Sequence, residues 1–365
     1  MRRAFWPGLA VIAIGLSLWA ARADSLPNLG GPALAEVQSY LFLSQEGSRQ
    51  LAVLDTSSDK LVGNLELGLV PSRIEISKST RKLAAIDGDS ARVEILDLGQ
   101  GGGHDLTLPF IPKLLTLSPD GKRLAVGSND GVTLLDLEHS TIIAHASGFT
   151  TLRDLMFSAD GNSLYAAGDQ LSVLDANHKL ERRSSPLPVQ GFTRSPDGRA
   201  LFVKGEDGAV SVLDSKSLEV LAKLPAGQAQ PSATGAYLLL LNGEGHSLTL
   251  VHGDSWESGQ KFETAADATT AYSGWFDSVA LVPSKSGKSL EVIDLWRQSR
   301  LKDILLPASP LAGAVSADGS KLYLPLEGKA KLAVIDIRNR KLAQIISLPQ
   351  PARVATLADS YGICH

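Results

Sequence analysis

The chain has little of several things. Of its 365 residues one is cysteine, two are methionine and only 5% are aromatic. A lone cysteine, Cys364, excludes an internal disulfide framework, so stability must come from packing and closure. With so few aromatics the core must be built of Val, Leu, Ile and Ala, a composition that suits pleated strands. No excess of positive charge is present: the formal net charge is −4. Residues 1–23 hold Arg2, Arg3 and Arg22 and no acid, so the remainder carries −7. That argues against nucleic-acid binding, which needs a basic face.

Motifs of chemistry are also scarce. The histidines show no H-x3-H or H-E-x-x-H spacing, and there is neither C-x-x-C-H nor G-x-S-x-G. Gly99 to Gly103 is glycine-rich but lacks a following Lys-Ser/Thr. Gly287-Lys288-Ser289 ends like a phosphate loop, yet Val282 stands where the upstream glycine is required. No catalytic constellation emerges, and no cofactor is indicated.

One apolar run exists, from Gly8 to Ala21, preceded by Arg2 and Arg3 and followed by Ala21-Arg22-Ala23. It is too short for a membrane span and has the layout of a secretory signal peptide, residues 1–23. The sequence therefore predicts an exported, periplasmic protein without a membrane span in its mature form.

What is abundant is a repeat. Leu51-Ala52-Val53-Leu54-Asp55 returns as segments closing at Asp97, Asp136, Asp175, Asp214, Asp294 and Asp336, with a worn copy closing at His252. The intervals are 42, 39, 39, 39, 38, 42 and 42 residues. Short strands at a period near 40 residues are the mark of an all-β propeller. A turn also recurs between the first two strands of a unit, as Ser118-Pro119-Asp120-Gly121, Ser158-Ala159-Asp160-Gly161, Ser195-Pro196-Asp197-Gly198 and Ser316-Ala317-Asp318-Gly319. Pro suits its second position, Asp caps it, and Gly supplies a positive φ. Ser232-Ala233-Thr234-Gly235 is a weaker copy.

The first unit lacks its opening strand, and the chain ends on an unpartnered one, Pro351 to Leu357, which resembles Pro71 to Ser77. Pairing the two closes the ring and removes the open edge. Counted so, there are eight four-stranded blades; seven is the alternative if the unit around His252 is not a full blade. The expected layout is signal peptide 1–23, irregular lead-in 24–37, a single propeller domain 38–358 and a tail 359–365.

The unit Ser316 to Leu324, with Leu332 to Asp336 and Lys341 to Leu348, resembles the YVTN-type propeller repeat, as does Leu41 to Gly68. The WD40-like type is less similar, because no Trp-Asp pair closes a blade. The asparagine tetrad that names the YVTN repeat is absent; Leu324-Pro325-Leu326 stands there. The resemblance covers about residues 38–358 and implies bacterial exported propellers, among them amine dehydrogenase heavy subunits and haem d1 propellers. It specifies fold far better than function.

Two candidate sites emerge. The opening strand of each blade borders the central channel, which places Arg73, Glu75, Lys113, Arg153, Asp154, Gln190, Arg194, Gln228 and Arg353 at or near its rim. Five basic groups on an acidic protein suggest a site for an anion or carboxylate; the bland alternative is an ordinary polar rim. The second candidate is a metal site at Cys364 and His365, against a tail that packs or carries a bare thiol. The expected function is a non-enzymatic module binding another periplasmic protein or a small anionic ligand. The alternatives are an accessory or subunit of a periplasmic quinoprotein or cytochrome redox system, and a metal-handling protein using the tail.

Overall fold

The computed structural model describes residues 27–29, 34 and 36–358, save 178–179, 186, 243 and 245. Eight antiparallel sheets succeed one another along the chain. Blade two shows the pattern: Arg73–Ser77, Lys82–Ile86, Arg92–Asp97 and Gly103–Thr107, paired in sequence order. The inner strands of blades three to eight are Leu114–Leu117, Leu152–Phe157, Gly191–Arg194, Gln228–Pro231, Tyr272–Gly274 and Ala314–Val315. The worn repeat is a full blade, since Ser247–His252 is the third of its four strands. The count is therefore eight, and seven is excluded.

Every repeat closure ends a third strand for a physical reason. The Asp carboxylate accepts backbone N–H groups of the adjoining turn: Ser57 on Asp55 at 2.8 Å, His139 on Asp136 at 3.0 Å, Asn339 on Asp336 at 2.9 Å. Hydrogen bonding from Ser57 holds the Asp55 carboxyl below its ordinary range. Seven of these turns then use a non-glycine residue at positive φ, from Asp59 at 55° to Arg340 at 54°; only the blade-two turn uses a glycine, Gly101.

The strands read as continuous apolar runs because both faces of each blade are buried. Leu83 and Ala85 pack with Phe42, Leu51 and Val53 of blade one, whereas Ala84 and Ile86 pack with Leu115, Leu117 and Val126 of blade three. Strand alternation sends neighbouring residues to opposite faces, so each blade serves two cores.

The ring closes as the repeat requires. Tyr40–Gln45 pairs with Ala352–Leu357 in the register Leu41 to Leu357, Leu43 to Ala355 and Gln45 to Ala352. Across the seam, Leu41, Leu43 and Leu54 pack with Tyr323, Leu332, Ala355 and Leu357. A polar latch reinforces it. Lys321 Nζ lies 2.8 Å from Asp59 Oδ2, and the Tyr323 hydroxyl donates to Asp59 Oδ1 at 2.7 Å. Burial, with Asp59 alongside, pushes the Tyr323 phenol well up. The same reach, from a second strand to the next blade's outer turn, recurs from Lys82 to Ser140, from Arg123 to Ala176 and from Tyr165 to Ser215.

Two features depart from the repeat. Ahead of the first strand, Asn28 bridges Asn64 in parallel, and Leu29 lies so close over Gly63 that a Cβ there would meet it at 2.4 Å. The outer strand of blade seven is split into Ser299–Arg300 and Ile304–Leu305. The detour lets Arg300 pair with buried Glu291 at 3.2 Å and with Asp303 at 3.4 Å.

Candidate functional site

The inner strands enclose a cavity of about 860 Å³ along the channel, lined from blades two to eight. Ligand pockets span roughly 300–1,000 Å³, so this one admits a sizeable small molecule. Arg73, Glu75, Arg153, Asp154 and Arg194 line it, together with Gln190 and Gln228. Lys113 and Arg353 are not among the lining residues. The Lys113 ammonium is taken by the Gly88 carbonyl. Arg353 is exposed on the inner strand of blade one.

A bulge shapes the basic arc. In blade four Leu152 faces Gly168 and Asp154 faces Ala167, which leaves Arg153 as the extra residue. On a regular strand Arg153 and Asp154 would point to opposite sides; the bulge re-aims them, and both reach the cavity wall. Blade one has an equivalent irregularity between Ser44 and Gln45, opposite Arg353. Nothing in the sequence marks either bulge, since neither contains Gly.

The arginines differ in how firmly they are held. Arg194 donates to the Phe157 carbonyl at 2.8 Å, which ties blade five to blade four. Arg153 lies 3.6 Å from Glu206 and 3.8 Å from Asp169, long contacts between half-exposed groups. Arg73 is exposed, and its guanidinium makes no hydrogen bond or ion pair within those distances among the described residues. Its charge acts instead on the Asp154 carboxylate.

Asp154 is the unusual group. Its Oδ1 accepts the Leu155 N–H at 2.9 Å, and its Oδ2 accepts the Phe192 N–H at 3.3 Å. Burial pushes its carboxyl up to about 6, although both N–H groups and Arg73 oppose the shift. A carboxyl raised in the fold contributes stability that is full below about pH 4 and is lost as pH rises through about 6. Asp154→Asn is therefore expected to gain about 1–2 kcal/mol over wild type at pH 7.5 and nothing at pH 4. Urea denaturation at the two pH values checks this; an equal gain at both, or a loss at pH 7.5, refutes it.

Five basic and three acidic residues line the cavity, the others being Lys204, Lys285 and Asp267. The cations Arg73, Arg153, Arg194 and Lys204 lie on blades two, four and five. Leu155, Phe157 and Phe192 line the cavity on blades four and five, and Gln228, Gln230 and Thr270 line it on blades six and seven. Gln230 is 5% exposed, and its side-chain nitrogen has no partner among the described residues. The lining thus combines a basic majority among its charges with apolar side chains and neutral hydrogen-bonding groups.

The tail candidates Cys364 and His365 lie outside the described residues, as does the N-terminal segment 1–23. Among the described residues no group of three or more His, Cys, Asp or Glu is placed to hold a metal, and no helix is long and apolar enough to cross a membrane. Trp256 packs on Phe202 at 5.4 Å, Trp275 lies under Arg338 at 5.0 Å, and Trp296 is exposed.

No protein-family model matches the chain, and no curated protein does. Solved structures do. A structure of dihydro-heme d1 dehydrogenase NirN in complex with DHE aligns over 92% of this chain and 77% of its own, with a TM-score of 0.75 and 15% identity. Apo AztD from Citrobacter koseri aligns over 87% of this chain and 97% of its own, with a TM-score of 0.65 and 16% identity. At such identities the likeness is one of fold: the chain is an eight-bladed β-propeller similar in architecture to both.

Proposed function

We propose that this chain is an exported, periplasmic propeller of YVTN type that binds an organic anion in its central channel without transforming it. One observation carries the reading: Arg73 stands exposed and unbonded in the same cavity wall as Arg153 and Arg194. A preformed pocket with a few convergent polar groups is where binding is expected on a rigid scaffold. The signal-peptide layout read in residues 1–23 supports the compartment.

The test uses naphthalenedisulfonate, whose charge is fixed across the working pH range. Calorimetry at low salt is expected to find one site per chain. Arg73→Ala with Arg153→Ala should weaken it at least about tenfold, with the melting temperature little changed. Affinity unchanged by the double substitution would refute the channel site.

The likeness to the NirN complex favours a second reading, an accessory or subunit of a periplasmic redox system. Under it the channel would hold a carboxylated tetrapyrrole, whose propionates would meet the same arginines. A visible absorbance shift on titration with haem, lost in the same double variant, would select this reading over the first.

A further inference from the structure

The cavity contains no histidine among its lining residues, and of its carboxyls Glu75, Asp154 and Asp267 it is Asp154 that accepts a backbone N–H from blade five. Each element around that carboxyl contributes a group. Blade two brings Arg73 and Glu75, blade three the uncharged Thr116, and blade five Arg194 and the Phe192 N–H. Blade four itself brings Arg153, and the second strand of blade five brings Lys204. Lys113 on blade three is turned away to Gly88. Gly191 lies alongside the carboxylate, where a Cβ would stand 3.5 Å from Asp154 Oδ2, at ordinary contact distance.

We propose that the channel binds its anion together with a proton, and that Asp154 is the group that takes the proton. The inference rests on the channel-anion reading above. With Asp154 ionised, Arg73 is partly neutralised and an incoming anion meets a carboxylate in the same wall. With Asp154 protonated, that opposing charge is gone from beside Arg73, and the carboxyl becomes a hydrogen-bond donor that an anionic oxygen can accept from. Burial already favours the neutral form up to about pH 6, against the Phe192 and Leu155 N–H groups, which favour the ionised one. Binding and protonation are then reciprocal, each favouring the other by the same factor. The ligand class is an anion released as the surroundings turn alkaline and captured as they turn acid.

The experiment measures naphthalenedisulfonate affinity for wild type, Asp154→Asn and Arg73→Ala at pH 5.5 and 7.5. Calorimetry in two buffers of different ionisation enthalpy counts the protons taken up. The wild type is expected to bind about tenfold more tightly at pH 5.5, with net proton uptake at pH 7.5. Asp154→Asn, an uncharged isostere, should bind equally at both pH values and near the tighter level. Two results overturn the proposal while leaving the channel reading intact. In one, Arg73→Ala weakens binding but the wild-type profile is flat. In the other, Asp154→Asn keeps the wild-type slope. Binding that is absent, or indifferent to Arg73→Ala, overturns both.

Discussion

Deleting the chain from Pro351 onward is expected to abolish the stable monomer. The deletion strips blade one of its inner strand and leaves Tyr40–Gln45 as an open edge. Ala352, Ala355 and Leu357, all buried, leave the core shared with Tyr323, Leu332 and Val334. Burying one leucine contributes about 1.5–3 kcal/mol. Adding the lost backbone pairs brings the total to several kcal/mol, a large share of the roughly 5–15 kcal/mol that holds a typical fold. The exposed edge offers a template for another chain, so aggregation should accompany the loss. A shorter deletion from Asp359 onward keeps the strand and removes only residues 359–365, which isolates the strand's own contribution. Light scattering and thermal melting decide: a chain ending before Pro351 that stays monomeric and melts as wild type would show that the seam does not hold the ring. The latch from Lys321 and Tyr323 to Asp59 is expected to be secondary, since Lys321 and Asp59 are both partly solvated and such pairs contribute about 1 kcal/mol or less.

Ring closure is legible in the sequence because it depends on a pattern repeated eight times. The third strands end where the repeat closes, from Asp55 to Asp336, since each Asp must cap the same turn. His252 breaks the motif without breaking the blade: its carbonyl accepts the Trp256 N–H at 2.9 Å, which holds the same turn by backbone alone. The channel is legible only in part. Inner-strand positions can be counted along the repeat, and counting alone reaches Arg73, Glu75, Arg153, Asp154 and Arg194. Their differences in state cannot be read that way. Whether an arginine is tied to a carbonyl, like Arg194, or left unbonded, like Arg73, depends on the neighbouring blade. The position of Asp154 beside Arg153 on one wall depends on a bulge that no local residue announces.

The weaker copy of the repeat turn in blade six leads to the second large effect. In blades three, four, five and eight the turn serine donates to the aspartate two residues on, at 2.5–2.6 Å. Blade six has Thr234 in place of that aspartate, and a carboxylate from the next blade stands in. Asp277 accepts the Ser232 hydroxyl at 2.6 Å, the Thr234 N–H at 3.1 Å and the Thr234 hydroxyl. It is 2% exposed. To deliver it, blade seven bends through three successive left-handed residues, Trp275, Phe276 and Asp277, with φ of 49°, 54° and 52°. Each such non-glycine residue costs about 1–2 kcal/mol, so the contacts of Asp277 must offset a strained turn. Asp277→Ala removes the acceptor, leaves the buried Ser232 hydroxyl and Thr234 N–H unsatisfied, and keeps the bend. The expected loss is about 2–4 kcal/mol, with early exchange of the Thr234 amide. Asp318→Ala, the equivalent change in the exposed turn of blade eight, should cost about 1 kcal/mol or less. The decisive variant is Thr234→Asp. Alone it sets two carboxylates against each other and destabilises; combined with Asp277→Ala it restores the repeat's own Ser-x-Asp-Gly turn and recovers part of the loss. The sign of its effect should therefore reverse between the two backgrounds. Denaturant titration of the four-protein cycle measures this, and additive effects would show that Asp277 does not replace the missing aspartate.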